Sequence, residues 1–320
     1  MELVRGLHNA TGDARGLAVA IGNFDGVHLG HQALVRVVRA RAAACGARAA
    51  VLTFEPHPRE FLDPQGAPAR LMRIAEKCSA LAALGIERLH VVRFDAHLQR
   101  QDPQQFVAQV LCDGLGAREV VVGEGFRFGS GRAGTVETLR AAATARGCGV
   151  TVVPSVLADG ARVSSTRVRD ALVAGDLALA RGLLGRDYSL CGRVIAGERL
   201  GRQLGYATAN LRLHRRRLPL GGIFAVRVRG VDAGPARAGV ASLGTRPTVG
   251  GVEPLLEVHV FDFAGDLYGR RLEVEFVAKL RDESRFETLE ALTAQMDRDA
   301  ARARAILAAR AVPRSRADES

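Results

Sequence analysis

The chain has 320 residues, 48% hydrophobic and 25% charged, a globular composition at a length that predicts two domains rather than one. Its net charge is +11, but all the cations except Lys77 and Lys279 are arginines spread along the chain; with only Arg215–Arg217 as a tight run and no aromatic-rich RNA-binding motif, small anionic substrates explain them better than nucleic acid, and no nucleic-acid partner is expected. No run of about 18 apolar residues predicts a membrane span, and residues 1–16 lack a signal-peptide core, so a cytoplasmic location is expected.

In chain order, apolar runs at 17–21, 49–54, 89–94, 119–122 and 150–153 predict buried strands. Between them, 31–44, 75–84, 103–111 and 136–146 carry helical spacing. This alternation predicts an α/β unit: a mostly parallel sheet, helices on both faces, and ligands at the carboxyl ends of the strands. A helix over 167–184 is expected to close it. From Leu190 strand-like runs follow one another directly, at 192–196, 209–213, 223–229, 238–242, 255–261 and 272–277, which predicts a small antiparallel β-barrel. Residues 287–309 then read as a terminal helix. The expected domains are 1–186 and 187–310, with 311–320 a frayed polar tail. Five scattered cysteines (Cys45, Cys78, Cys112, Cys148 and Cys191) form no CxxC pair, so neither a disulfide framework nor a thiolate zinc site is expected.

The first strand runs into Gly22-Asn23-Phe24-Asp25-Gly26-Val27-His28-Leu29-Gly30-His31 and then a helix. A glycine-punctuated loop before a helix presents backbone N–H groups to anions. Three residues apart at the helix start, His28 and His31 can point the same way and stabilise charge on phosphate oxygens. The plain alternative is a helix cap with two surface histidines. A zinc site would need a third ligand, for which only His57 is near in sequence. Asn23 and Asp25 are expected to shape the loop or the nucleotide site rather than act as bases. After the last strand of this unit comes Val163-Ser164-Ser165-Thr166-Arg167-Val168-Arg169, whose hydroxyls would by default cap a helix. In Val122-Gly123-Glu124-Gly125-Phe126-Arg127-Phe128-Gly129 the alternating Phe126 and Phe128 suit either a planar ligand or the core. The neighbouring Gly129-Ser130-Gly131-Arg132-Ala133-Gly134 spells GxGxxG, but it does not directly follow a strand and the next strand ends without an acidic residue, so dinucleotide binding is not expected.

In the second unit, 197–210 join two strands. Gly201 and Gly205 let backbone approach phosphate, and Thr208 and Asn210 offer oxygen ligands on one side of an extended segment. Glu257, His259 and Phe261 share one face of the strand Leu255–Phe261, where a solvent-facing glutamate is the plain reading.

The HxGH loop with the second serine/threonine motif resembles the nucleotidylyltransferase superfamily. The wording from Gly22 to His28, with Thr53-Phe54-Glu55-Pro56-His57-Pro58, is similar to the FMN adenylyltransferase module of the bacterial bifunctional riboflavin kinase/FAD synthetases. Residues 197–210 and the strand around Glu257 resemble the riboflavin kinase module. The resemblance implies a Rossmann-like N-terminal domain that makes FAD from FMN and ATP, and a barrel that makes FMN from riboflavin and ATP, with Mg²⁺ accompanying ATP. It implies that His28 and His31 contact the triphosphate, that Ser165, Thr166 and Arg169 hold phosphates, and that Phe126, Phe128 and Arg285 approach flavin. It makes Thr208 and Asn210 magnesium ligands and Glu257 the base for the ribityl hydroxyl. Three positions depart from the family's wording: Gly125 replaces Asp or Asn, Ala207 replaces Pro, and Ser242 replaces Asn. The first two motivate an alternative, a riboflavin kinase whose N-terminal domain is degenerate. A non-catalytic flavin- or RNA-binding protein is the other rival.

Overall fold

The structure, a computed structural model, describes residues 1–7, 16–196, 206–248 and 251–310. The chain forms two compact units. The first is Met1–Pro68 with Met72–Ser165; the second is Ala69–Leu71 with the chain from Thr166.

The first unit is a parallel sheet of β1 (Glu2–Arg5), β2 (Leu17–Ile21), β3 (Arg48–Glu55), β4 (Arg88–Arg93), β5 (Ala117–Gly123) and β6 (Gly149–Val153), in the order β1-β4-β3-β2-β5-β6. Its helices are α1 (Leu29–Ala44), α2 (Pro58–Leu62), α3 (Ile74–Ala83), α4 (Ala96–Arg100), α5 (Pro103–Gln105), a π-helix (Phe106–Cys112) and α6 (Val136–Thr144). Strand alternation sends Leu17, Val19 and Ile21 into one core with Val107, Leu111 and Leu139. Ala18 and Ala20 enter the opposite core with Leu34, Val38 and Leu81. Helices therefore cover both faces, as the alternating pattern predicts. The order reverses at β2, so the β2 and β5 loops diverge and open a crevice at their carboxyl ends. A hairpin of β7 (Leu157–Ala158) and β8 (Ala161–Arg162) follows.

Three details differ from expectation. Strand β1 is missed because only Val4 of its four residues is buried; its Glu2 carboxylate accepts from Arg88 Nε at 2.8 Å. The expected helix over 103–111 is one α turn capped by Asp102, followed by the π-helix. The expected single helix over 167–184 is two, α7 (Ser165–Val173) and α8 (Leu177–Leu184): Gly175 takes a left-handed φ of 75°, and the Asp176 carboxylate caps α8 by accepting from Leu179 N.

His90 on β4 is 1% exposed and neither ring nitrogen has a hydrogen-bond partner. Burial, reinforced by the Arg88 charge, pushes its pKa down to about 4. Below pH 6.5 the unfolded chain takes up a proton that the folded chain refuses, so stability falls as pH drops, by about 2 kcal/mol at pH 5 and about 3 kcal/mol at pH 4. Urea unfolding followed by circular dichroism at pH 7 and pH 5 checks this; His90→Phe is expected to flatten that part of the pH dependence.

The second unit is a closed antiparallel barrel of β9 (Tyr188–Ile195), β10 (Thr208–Arg212), β11 (Gly222–Arg229), β12 (Arg237–Thr248), β13 (Gly251–Val260) and β14 (Arg271–Arg281), ordered β10-β13-β12-β11-β14-β9. Leu211, Phe224, Val258, Val274 and Phe276 are buried along its strands. The terminal helix α9 (Leu289–Ala309), capped by Thr288, lays Ala303 and Leu307 against Phe261, Val277 and Leu280. Three side chains bind three successive carbonyls of 69–71: Arg169 Nε to Ala69 at 2.6 Å, Arg215 to Arg70 at 2.8 Å and the Tyr188 hydroxyl to Leu71 at 3.1 Å. Those bonds are why this short segment belongs to the barrel unit. Helix α8 buries Leu177, Ala180, Leu183 and Leu184 and lies along β9 and β14. The expected boundary at 186/187 therefore falls after α7 and α8, and the compact division before them. The expected tail, 311–320, lies outside the described residues.

Candidate functional site

At the carboxyl ends of β2, β3, β5 and β6 lies a cleft of about 640 Å³, the size of a nucleotide-scale pocket. Asn23, His28, His31, His57 and four arginines, Arg59, Arg127, Arg132 and Arg162, line it; among the described residues no carboxylate does. A concave site walled by cations and imidazoles focuses positive potential and suits a polyanion.

His28 is the N-cap of α1 and is 6% exposed. Its Nδ1 accepts from His31 N at 3.4 Å, which leaves the proton of the neutral ring on Nε2. The two imidazoles stack with centroids 3.7 Å apart, and Phe24 backs His31 at 4.9 Å. The pair thus presents one surface at a helix N-terminus, as the spacing predicts. Gly30 lies under the His28 ring: a Cβ there would meet its Cε1 at 3.1 Å and Nδ1 at 3.2 Å.

The loop feeding this helix is strained. Phe24 and Val27 adopt φ of 49° and 43°, a region costly for bulky and β-branched residues. Bonds from several elements over-determine it. The Asp25 carboxylate, 3% exposed, accepts from Met72 N at 2.9 Å, and the Asp25 carbonyl accepts from Ser165 Oγ at 2.8 Å. The Asn23 carbonyl accepts from Thr53 Oγ1 at 3.1 Å and Lys77 Nζ at 2.5 Å. Asp25 thus shapes the loop, while Asn23 also lines the cleft.

Ser164 lines the cleft, whereas Ser165 spends its hydroxyl on Asp25. Thr166 is exposed, and Arg169 commits Nε to Ala69. Phe126 and Phe128 stack at 5.4 Å; both line the cleft, with Phe128 also packed on Phe106 in the core and Phe126 half-buried. At Gly125 an added Cβ would sit 2.9 Å from a terminal nitrogen of Arg162, so that guanidinium occupies the room a side chain would take. Arg59, Arg127, Arg132 and Arg162 carry no signal of their own in the sequence, because they merge with the chain's general arginine bias. Lys77 carried a signal: it is one of only two lysines beside 43 arginines.

On the barrel, antiparallel register puts Asn210 opposite Glu257 and Glu257 opposite Ser242, with Thr208 opposite His259. Directly opposed residues point to the same face, with Cβ atoms about 5 Å apart. Asn210 is buried, while Thr208 and Glu257 are half-buried. The rings of His259 and Phe261 meet at 5.7 Å, and Tyr206 packs edge-on against His259 at 4.9 Å. His259 Nδ1 lies 3.0 Å from the Ala207 carbonyl, which can only accept, so Nδ1 carries the proton. Tyr206 bonds Asp297 on α9, and burial together with that carboxylate pushes its pKa up to about 12. Arg285 is exposed; its neighbour Phe286 lies under Arg281, 5.6 Å from ring centre to guanidinium carbon. Gly201 and Gly205 lie outside the described residues. Among the described residues no group of three or more His, Cys, Asp or Glu is arranged to hold a metal ion, and no helix is long and apolar enough to cross a membrane.

Residues 10–167 match the family model for FAD synthetase and residues 184–307 that for riboflavin kinase. A bifunctional riboflavin kinase/FMN adenylyltransferase of Pseudomonas fluorescens is 48% identical over 96% of this chain and 98% of its own. A protein of the same description from Haemophilus influenzae is 44% identical over 95% and 99%. A crystal structure from Streptococcus pneumoniae, described as a macrolide-efflux protein, superposes with a TM-score of 0.82 at 30% identity, covering 93% of this chain and 97% of that one. Matches to both modules favour two activities over the single-activity reading that Gly125 and Ala207 motivate. The chain belongs to the family of bifunctional riboflavin kinase/FMN adenylyltransferases, which phosphorylate riboflavin to FMN and then adenylylate FMN to FAD.

Proposed function

We propose that FMN is adenylylated in the cleft of the first unit and riboflavin is phosphorylated on the outer barrel face around Glu257. The observation that carries the first assignment is a cleft whose described lining has three histidines, four arginines and no carboxylate, headed by the stacked His28–His31 pair. A phosphate oxygen of FMN attacks the α-phosphorus of ATP, the bond to the bridging oxygen breaks, and pyrophosphate leaves with the charge. His28 Nε2–H and His31 are positioned to donate to phosphate oxygens as that charge grows. Ser165 holds the loop through Asp25, and Phe126 offers a ring to the flavin, with Phe128 behind it. Thr166 and Arg169 complete the family's phosphate-binding motif in this reading.

On the barrel, the Glu257 carboxylate takes the proton from the ribityl 5′-hydroxyl as its oxygen attacks the γ-phosphorus and ADP departs. Thr208 and Asn210 present a hydroxyl and an amide oxygen on the same face, hard donors that fit Mg²⁺ shared with ATP phosphates. When bound, Mg²⁺ neutralises phosphate charge and orients the chain of phosphates. Gly201 and Gly205 serve the phosphates and Arg285 the flavin. The working domains are 1–186 for adenylylation and 187–310 for phosphorylation, and a cytoplasmic location fits the ATP that both steps consume.

The test is a chromatographic time course with riboflavin, ATP and Mg²⁺, repeated from FMN, for wild type and for site variants. Gly30→Ala belongs in that series. Its methyl crowds the His28 imidazole, which must give by a few tenths of an ångström, and that shift is expected to slow FAD formation by about threefold or more, while FMN formation is retained. Unchanged FAD formation in Gly30→Ala would separate His28 from the reaction.

A further inference from the structure

Lys77 stands out for where it is. The chain uses arginine for 43 of its 45 basic residues. Lys77, on α3, is 6% exposed, and its Nζ donates to the Asn23 carbonyl at 2.5 Å and to Thr53 Oγ1 at 3.2 Å. Thr53, fully buried on β3, donates to the same carbonyl at 3.1 Å. Two donors from two different elements therefore converge on one peptide of the nucleotide loop. A compact ammonium suits that place. A planar guanidinium with five N–H groups would need acceptors and width that a carbonyl and one hydroxyl do not supply.

The peptide so held joins Asn23, which lines the cleft, to Phe24, which stands at a φ of 49°. A trans peptide is planar, so orienting the Asn23 carbonyl toward Lys77 also orients the Phe24 N–H in the opposite direction. It thereby constrains the turn that leads to Val27, itself at 43°, and to the N-cap His28. Phe24 in turn backs the His31 ring. Strained backbone persists only where its surroundings over-determine it. We propose that Lys77 is a positioning residue for adenylyl transfer: by holding the Asn23 carbonyl, its ammonium sets the loop that delivers His28 and His31 to the nucleotide. This rests on the assignment of the cleft to FMN adenylylation.

Steady-state kinetics of FAD formation from FMN and ATP, with riboflavin phosphorylation measured in the same preparations, test the proposal. Lys77→Met is expected to lower kcat for FAD formation by about 30–100-fold while the KM values for ATP and FMN stay within about threefold, because a positioning loss falls on the transition state rather than on ground-state binding. Phosphorylation is expected to be unchanged. Lys77→Arg is expected to restore little of the rate, because charge without fit does not hold the carbonyl. Imidazole nitrogen NMR adds an independent readout, expected to show His28 losing its single Nε2–H tautomer in Lys77→Met. A folded Lys77→Met with wild-type kcat, a loss confined to KM, or full rescue by arginine would each overturn the proposal. If Lys77→Met does not fold, Thr53→Val carries the test, with an expected kcat loss of about 3–10-fold; wild-type kcat in that variant counts against it. His28→Ala separates the two levels of argument. Retained FAD formation there removes the cleft assignment itself, whereas its loss beside an intact Lys77→Met removes only the role of Lys77.

Discussion

Glu257→Gln is expected to slow riboflavin phosphorylation by a factor of about 10²–10⁴, while FAD is still made from supplied FMN at the wild-type rate. Glutamine keeps the size of the side chain and its place opposite Asn210 and Ser242, so the strand register and the packing of α9 are retained. What it loses is the ability to accept a proton. The attacking hydroxyl would then shed its proton to solvent later in the reaction, with more charge built up on the oxygen at the transition state. The same two-product time course reads both activities, so the second product acts as an internal control on enzyme quality. Normal FMN formation by Glu257→Gln would remove Glu257 as the base and leave it the solvent-facing glutamate that strand alternation alone suggests.

His28→Ala is expected to have the mirror-image result: FAD formation falls by about 10²–10³, and FMN formation continues. The magnitude is that of removing one preorganised donor from a site where charge develops. His28 also caps α1, so alanine removes a cap worth about 1 kcal/mol as well as the donor. His28→Asn separates the two effects, because asparagine is a strong N-cap yet carries no imidazole. If His28→Asn kept wild-type FAD formation, capping rather than phosphate contact would be the role of this residue. Equal loss of both products in His28→Ala would instead undo the division of labour between the units.

Much of this architecture is legible in the residues because its signals are local and repeated. The continuous apolar run at 17–21, buried on both faces, and the helical spacing at 31–44, with the period that buries one face, both form elements where expected. The six barrel strands announce themselves by close spacing and glycine punctuation. The misses are local too. Strand β1 carries Glu2 and Arg5 at its ends, which erases the apolar run. The break between α7 and α8 hangs on Gly175 and Asp176 within an otherwise apolar periodicity.

The site divides along the same line. Sequence by itself marked which residues could share a site: His28 and His31 lie one helical turn apart and can face phosphate together, and Thr208, Asn210 and Glu257 lie on strands whose alternation sets their face. Only the tertiary structure decided what the neighbouring groups do. Asp25 accepts from Met72 N through its carboxylate, Ser165 holds the Asp25 carbonyl, Arg162 takes the room above Gly125, and Lys77 grips Asn23. Each of those contacts joins residues 37 to 140 positions apart, and nothing in local spacing records such a separation. They arise because a parallel sheet gathers the ends of distant strands at one edge, where the side chain that finds a partner is set by packing rather than by its own neighbours in the chain.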